Sequence, residues 1–180
     1  MQYTAHYDSP LGGILLAADG EGLTGLWFDG AKSFAAHLDA EHREGGAPAL
    51  DGARRWLDAY FAGRDPGFAP PLHLVGSAFQ RDVWALLLQI PYGQTTTYGA
   101  LARRLAARQG LARMSAQAVG GAVGRNPVSL IVPCHRVVGS GGSLTGYAGG
   151  VDKKIALLRL EGADAAALTP TQYRKAHESK

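Results

Sequence analysis

The chain contains a single cysteine, Cys134, which a histidine follows directly in the stretch NPVSLIVPCHRVV from Asn126 to Val138. A cysteine attacks electrophilic carbon as the thiolate, and its ordinary pKa of about 8.5 leaves little thiolate at neutral pH. His135 supplies a base that could take the proton. Because neighbouring side chains of an extended segment point in opposite directions, we expect the imidazole to reach the sulfur through a turn or a bridging water. The pair therefore suits nucleophilic chemistry.

A base of this kind needs a third group that orients its ring and stabilises its positive charge. The best candidate is Glu161, at the end of the apolar stretch IALLRLEG. Two other interpretations stay open at this point. A lone cysteine of a cytosolic chain is more often an inert buried residue, and a Cys-His pair also suits a hydrolase that acts on acyl substrates.

Local patterns predict the elements that position these residues. The apolar run 128–132 is predicted to be a strand, because Pro133 favours an extended residue before it, and this strand would present Cys134 at its end. The stretches GILLAADG and GLTGLWFDG are typical of paired strands with tight turns. Apolar residues recur at helical spacing in AKSFAAHLDAEHRE and in LDGARRWLDAYFAG, which predicts two helices.

The second half of the chain is mainly helical. SAFQRDVWALLLQI is predicted to be a helix capped by Ser77, YGALARRLAARQG a helix that ends at Gly110, and SAQAVGGAVGRN a third short helix. The last two, joined by a turn, have the outline of a helix-turn-helix. VDKKIALLRLEG is predicted to be a further helix.

These elements and the proline-rich stretch RDPGFAPPLHLVG divide the chain into two units. We predict an α/β (α+β) fold, with an N-terminal domain of a small sheet and helices over residues 1–74. A mainly helical C-terminal domain over residues 75–165 would carry the chemistry, and residues 166–180 would form a flexible tail.

Charge is distributed unevenly along the chain. The formal net charge is +3, but residues 1–74 carry five Lys or Arg against ten Asp or Glu, whereas residues 75–160 carry ten against two. The basic half would attract polyanions such as nucleic acid, although a merely solvated basic surface gives the same pattern. No run of apolar residues predicts a membrane span and no secretory signal is recognised, while a single cysteine fits a reducing compartment, so we expect a cytoplasmic protein.

The stretch SAQAVGGAVGRN is unusual for a helix because it contains glycines in its interior, among them Gly120 and Gly121. Each interior glycine costs about 1 kcal/mol against alanine, so some partner must approach this backbone closely. That partner is either a neighbouring helix or a groove of DNA. The long polar side chains here are few: Gln117, with Arg113 and Arg125 on its flanks. If DNA is the partner, such a helix suits the minor groove and binding without sequence preference.

The stretch PCHRV, preceded by AVGGAVGRNPVSLIV and followed by GYAGGVDKKIALLRLEG, resembles the active-site region of the O6-alkylguanine-DNA alkyltransferases, the methylated-DNA–protein-cysteine methyltransferases. The resemblance is strong from Phe79 to Gly162. It implies a ribonuclease H-like N-terminal domain and a winged-helix-like C-terminal domain. It also implies DNA repair by irreversible transfer of an alkyl group from O6 of a flipped guanine to Cys134, one turnover per molecule, with O4 of thymine as a further candidate substrate.

The resemblance assigns catalytic roles to five residues. Cys134 would be the alkyl acceptor, His135 the water-mediated base and Glu161 its carboxylate partner. Asn126 would be the hinge between the helix-turn-helix and the active-site turn. Tyr98 would assist the guanine leaving group and hold a backbone phosphate. The partner would be double-stranded DNA containing O6-alkylguanine, bound through the minor groove by a monomer.

A second group would contact DNA or the flipped base. Tyr147 would act as a lid beside the guanine pocket, with Val137 and Ala148 on its walls. The remaining members of this group are Gln117, Arg113, Arg125, Arg136, Gly120 and Gly121. Gln117 departs from the family pattern, which has an arginine that fills the gap left by the flipped base. We expect the uncharged, shorter side chain to give weaker DNA binding or slower flipping.

Two further expectations concern alternatives and metals. A non-catalytic alkyltransferase-like protein that binds damaged DNA would share this sequence pattern but lack the cysteine. Zinc occurs in some relatives, but the histidines of the N-terminal half show no ligand spacing and have no thiolate partner. These are His6, His37, His42 and His73. We therefore expect no metal and no cofactor.

Overall fold

A computed structural model describes residues 1–144, 146–163 and 169–170. Its N-terminal part contains a sheet of β1 (Gln2–Ser9), β2 (Gly12–Ala18), β3 (Leu23–Phe28) and β4 (His42–Glu44). The strand order is β3-β2-β1-β4, with β1, β2 and β3 antiparallel and β4 parallel to β1. The two predicted strands are confirmed as β2 and β3, and β1 and β4 complete the sheet.

Helix α1 (Pro48–Phe61) confirms the second helix predicted in the N-terminal half. Its proline lies in the first turn, where the backbone N–H groups have no partner within the helix, so that proline costs no hydrogen bond. Residues at three- and four-residue spacing form one buried face: Ala49, Leu50, Ala53, Trp56, Leu57 and Tyr60. This face packs in the core beside the sheet and places Tyr60 near the end of the helix.

The helix predicted in AKSFAAHLDAEHRE is wrong. Residues 31–38 form successive turns, and Ala35 has a φ of 54°, a left-handed conformation that interrupts any right-handed helix. Ala35 and Leu38 instead pack against Leu15 and Trp27 on the outer face of the sheet. The apolar spacing thus reflects burial against a sheet.

The C-terminal part consists mainly of helices: α2 (Ala78–Leu87), α3 (Tyr98–Gln109), α4 (Ala116–Gly124) and α5 (Val151–Leu160). Strand β5 (Thr96–Thr97) pairs with β6 (Val137–Val138), and β7 (Ser143–Leu144) pairs with β8 (Thr169–Pro170). Two 3-10 turns span Cys134–Arg136 and Ser140–Gly142.

The predicted helices of this half are confirmed, and local signals define their ends. The side chains of Ser77, Thr97 and Ser115 each accept a hydrogen bond from a backbone N–H in the first turn of the helix that follows. Gly110 ends α3 with a φ of 66°, which glycine adopts without steric cost.

A continuous apolar core contains residues of the sheet, of α1 and of the C-terminal helices. Trp84 is fully buried in it, and its Nε1 donates a hydrogen bond of 2.9 Å to the carbonyl oxygen of Ala122, which joins α2 to α4. No helix within the described ranges is long and apolar enough to span a membrane. Of the predicted tail, Thr169 and Pro170 are described as β8, and its other residues lie outside the described part of the chain.

Strand β3 lies at one edge of the sheet. It is hydrogen-bonded to the segment that follows α1 and to the segment that precedes Cys134. The amide N of Leu23 donates to the carbonyl oxygen of Pro71 at 2.7 Å. Further along the strand, the amide N of Leu26 donates to Pro127 at 2.9 Å, and Leu26 accepts from the amide N of Ser129 at 3.1 Å. The segment that leads to Cys134 is therefore fixed directly to the N-terminal sheet.

Candidate active site

The segment before Cys134 is a compact turn, so the strand predicted over residues 128–132 is wrong. Val128 makes an isolated bridge to β3, after which the backbone turns through Leu130 at a φ of 69°. The Asn126 side chain closes this turn, because its Nδ2 donates to the carbonyl oxygen of Val132 at 2.8 Å and its Oδ1 accepts from the amide N of Val128 at 3.0 Å. Asn126 thus positions the turn that presents Cys134.

Cys134 begins the 3-10 turn and is buried, with 7% of its surface exposed. Burial raises the pKa of its thiol, while the Asn126 side chain and the positive charge of Lys154 act in the opposite direction. Because burial dominates, the resting sulfur is a thiol, and attack requires a base that removes the proton.

His135 is fully buried behind Cys134 in the same turn, and its Nε2 pairs with Oε2 of Glu161. A ring nitrogen that faces a carboxylate carries the hydrogen, which makes Nδ1 the acceptor. Nδ1 is buried and has no hydrogen-bond partner among the described residues. Burial lowers the pKa of His135, and Glu161 partly offsets this. The neutral ring thus offers an unused acceptor, as a general base must.

Glu161, at the end of α5, receives hydrogen bonds from several parts of the chain. Its Oε2 accepts from His135 and, at 2.7 Å, from the hydroxyl of Tyr60. Its Oε1 accepts from Nε of Arg136 at 2.7 Å and from the amide N of Gly93 at 3.0 Å. Burial alone would raise the pKa of this carboxyl, but these donors hold it at about 2. Glu161 is therefore a carboxylate that can stabilise a protonated His135.

Lys154 is a buried cation that sequence reasoning missed. Its side chain is fully buried, and Nζ donates to the carbonyl oxygen of Val137 at 2.6 Å. Burial lowers the pKa of Lys154 to about 8, while the nearby Cys134 acts to raise it. The signal for its burial was present, because Lys154 lies on the same helical face as Leu157 and Glu161.

Cys134 lines a cleft of about 1060 Å³. The structure brings most of the predicted site residues to this cleft: Tyr98, Gln117, Gly120, Gly121, Arg125, Asn126, Tyr147 and Ala148. The N-terminal part contributes Trp27 and the turns after β3, including Lys32 and His37, which sequence reasoning missed. The amide N of Lys32 donates to the carbonyl oxygen of Ala148 at 3.0 Å and so joins the two sides of the cleft.

Three residues of the predicted DNA-binding group lie outside the cleft. The expectation for Arg136 is corrected, because its guanidinium is buried and bonds Glu161 and the carbonyl oxygen of Ile90. The expectation for Val137 is also corrected, since its side chain is fully buried in the core and does not line this cleft. Arg113 lies exposed in the turn between α3 and α4.

On α4, Gly121 and Gly124 are exposed, and Gly120 beside them is half-buried. A Cβ atom added at Gly121 or Gly124 would meet no described atom within 4 Å, and one at Gly120 would make ordinary contact with the ring of Tyr98 at 3.5 Å. Packing against another helix of the described part of the chain therefore does not explain these glycines. Their position favours close approach by a partner from outside.

The Tyr147 hydroxyl is buried in the wall of the cleft that Cys134 and Ser129 also line. Burial raises the pKa of Tyr147 well above its usual range, and negative charge on Cys134 would raise it further. The hydroxyl therefore stays protonated and gives the wall of the cleft a polar group close to the sulfur.

Two family models match the chain. The model of the ribonuclease-like domain of 6-O-methylguanine DNA methyltransferase matches residues 2–74, and that of the DNA binding domain matches residues 78–163. The methylated-DNA–protein-cysteine methyltransferase of Methanosarcina acetivorans is 44% identical, over 89% of this chain and 98% of the relative. The Mycobacterium leprae protein of the same name is 45% identical, over 86% and 88%.

Solved structures give the same result. The crystal structure of Mycobacterium tuberculosis OGT in complex with DNA matches with a TM-score of 0.75 and 41% identity, over 92% of this chain and 97% of that chain. An O6-methylguanine DNA methyltransferase from Methanococcus jannaschii matches with a TM-score of 0.58 and 29% identity, over 88% and 93%.

Proposed function

Because the chain belongs to the 6-O-methylguanine DNA methyltransferase family, we propose that it repairs DNA by moving an alkyl group from O6 of guanine to the sulfur of Cys134. One observation supports this most strongly. Cys134 lines a large cleft and is backed by the buried His135–Glu161 pair. The fold would thereby aim a nucleophile and its base at a substrate that enters from the cleft.

The proposed reaction is a displacement at carbon. The thiol proton passes through a water to Nδ1 of His135, and Glu161 stabilises the resulting imidazolium. The sulfur attacks the alkyl carbon in line, the bond from carbon to O6 breaks, and its electron pair leaves with the base. Guanine takes up a proton, for which the hydroxyl of Tyr98 is the proposed donor. His135 then releases its proton to solvent and Tyr98 takes one up from solvent, so that the thiol proton replaces the alkyl group on the base in the overall reaction. The thioether is stable in water, so each molecule reacts once.

The chain binds DNA, and we propose the minor groove as the site and α4 as the element that enters it. The exposed glycines of α4 allow close backbone approach, while Gln117 and Arg125 line the adjoining cleft. The alkylated base must leave the stack to reach Cys134, and Gln117 would occupy the space it leaves. We propose a monomer that acts in the cytoplasm, where a lone thiol stays reduced.

Mass spectrometry of the intact protein after incubation with an O6-methylguanine duplex tests this function. We expect a permanent gain of about 14 Da on Cys134, one methyl in place of one hydrogen. No adduct would instead indicate a non-catalytic binder of damaged DNA, and a transient adduct would indicate a hydrolase. The variant Cys134→Ser should bind the duplex and leave it methylated. Activity on O4-alkylthymine and the division into domains at residue 74 stay predictions.

A further inference from the structure

Tyr60 lies in the N-terminal half of the chain, yet its hydroxyl reaches the buried pair behind Cys134. The residue is fully buried in α1. Its hydroxyl donates to Oε2 of Glu161 at 2.7 Å and lies 3.5 Å from Nε2 of His135. The phenol and the imidazole therefore share one carboxylate oxygen as their acceptor.

We propose that Tyr60 is a positioning residue that controls how readily the His135–Glu161 pair takes the proton of Cys134. The inference deepens the proposed alkyl transfer, and its alkyl-transfer readout rests on that function. The N-terminal half would then be part of the reactive apparatus as well as a support for it.

Charge sharing at Oε2 gives the direction of the effect. When a carboxylate oxygen accepts a second strong hydrogen bond, its negative charge is partly neutralised, and it stabilises the imidazolium less. Removal of the phenolic O–H therefore makes Glu161 a stronger partner for protonated His135 and makes the thiolate easier to form. The carboxylate itself would stay in place, because Arg136 and the amide N of Gly93 still hold Oε1.

The ring of Tyr60 is fixed independently of its hydroxyl. It stacks on Trp56 with ring centroids 5.0 Å apart and planes at 11°, and it meets Phe61, Tyr92 and His135 edge to face. Burial and the charge of Glu161 raise the pKa of Tyr60 far above its usual range, so the hydroxyl remains a donor at every working pH. Tyr60→Phe thus removes one O–H and keeps the packing.

Other titratable and charged groups face the reacting pair and stay unchanged in that variant. They are Tyr92 before β5, Arg136 in the 3-10 turn, Tyr147 before α5 and Lys154 in α5. A change in pH dependence between the two proteins therefore reports the Tyr60 hydroxyl alone.

The experiment measures the rate of Cys134 alkylation against pH, with iodoacetamide and with an O6-methylguanine duplex as separate probes. In Tyr60→Phe we expect the midpoint of the iodoacetamide profile to fall by about one pH unit, the effect of one hydrogen bond to a charged group. Below both midpoints the variant should react about threefold faster, since a more acidic thiol is a weaker nucleophile. A midpoint that stays or rises overturns the proposal.

Two comparisons make the result specific. Tyr7→Phe removes the hydroxyl of another tyrosine that contacts α1, through Asp58 at 2.6 Å, and should leave the midpoint unchanged. In a Glu161→Gln background, Tyr60→Phe should no longer move the midpoint, because the shared carboxylate is gone. If Tyr60→Phe still moves the alkylation midpoint in the Glu161→Gln background, Tyr60 does not act through Glu161 and the proposal is contradicted. This outcome is decisive even if Tyr60→Phe alone lowers the stability of the protein.

The two probes separate this inference from the proposed function. If iodoacetamide shows the shift but the natural protein gains no stable methyl from the duplex, the role of Tyr60 stands and the proposed function fails. If the duplex methylates Cys134 but neither profile moves in Tyr60→Phe, the function stands and the role of Tyr60 fails.

Discussion

Glu161 should stabilise the fold in a manner that depends on pH, and Glu161→Gln measures this contribution. The pKa of Glu161 is lowered from 4.5 to about 2. A group whose pKa is lower in the folded state adds stability that is fully present above its unfolded pKa and is lost as the pH falls through its folded pKa. The lowering corresponds to about 3 kcal/mol of unfolding free energy at neutral pH, and less than half of this remains at about pH 3.

Urea denaturation of both proteins from pH 7 to pH 3 tests this expectation. At pH 7 Glu161→Gln should be less stable by about 3–5 kcal/mol, because Arg136 loses its buried carboxylate partner. The difference should shrink by about 2 kcal/mol at pH 3.

Glu21→Gln serves as the matched control, because this carboxylate also contacts a histidine, His73, but its side chain is 73% exposed. An exposed ion pair contributes little, so we expect a change below about 1 kcal/mol throughout. A stability difference between the natural protein and Glu161→Gln that stays constant from pH 7 to pH 3 would refute the reasoning.

Three further substitutions test the site. Gln117→Arg adds a charge at the cleft and should raise the affinity for a methylated duplex severalfold. In binding titrations at several salt concentrations, the slope of log affinity against log salt should steepen by about one released counterion, and equal affinity contradicts the expectation. Lys154→Met removes a positive charge that favours the thiolate, so the midpoint of alkylation against pH should rise, and an unchanged midpoint excludes the effect. At Gly121 an added Cβ meets no described atom, so Gly121→Leu should weaken duplex binding at least tenfold while the thermal unfolding midpoint holds or rises. Unchanged binding would remove α4 from the interface.

Local chemistry allowed most helices to be predicted. The ends of α2 and α4 follow from Ser77 and Ser115, whose hydroxyls cap the first turn, and α3 ends where Gly110 adopts a left-handed conformation. Such signals act within a few residues and can be read without knowledge of the fold. The same holds for the sequence around Cys134 that carries the family resemblance.

Long-range contacts explain what sequence reasoning missed. The run 128–132 is apolar because it is buried on all sides, and nothing local indicates that Leu130 turns the chain. Tyr60 and Glu161 are 101 positions apart, and only the tertiary fold brings the end of α1 to the residue that follows α5. The arginine at position 136 looked suited to DNA, but a buried carboxylate already binds it.

The hydrogen bonds along β3 have a consequence for the behaviour of damaged protein. In the intact molecule, Pro71 and Pro127 fill places along this edge that a strand from another molecule could otherwise occupy. If the C-terminal half detaches on heating or is cut away by a protease, the backbone N–H and C=O of Leu26 lose Pro127 and Ser129, and this part of the edge becomes a template for intermolecular pairing. Loss of the reactive half and aggregation would then begin with the same event.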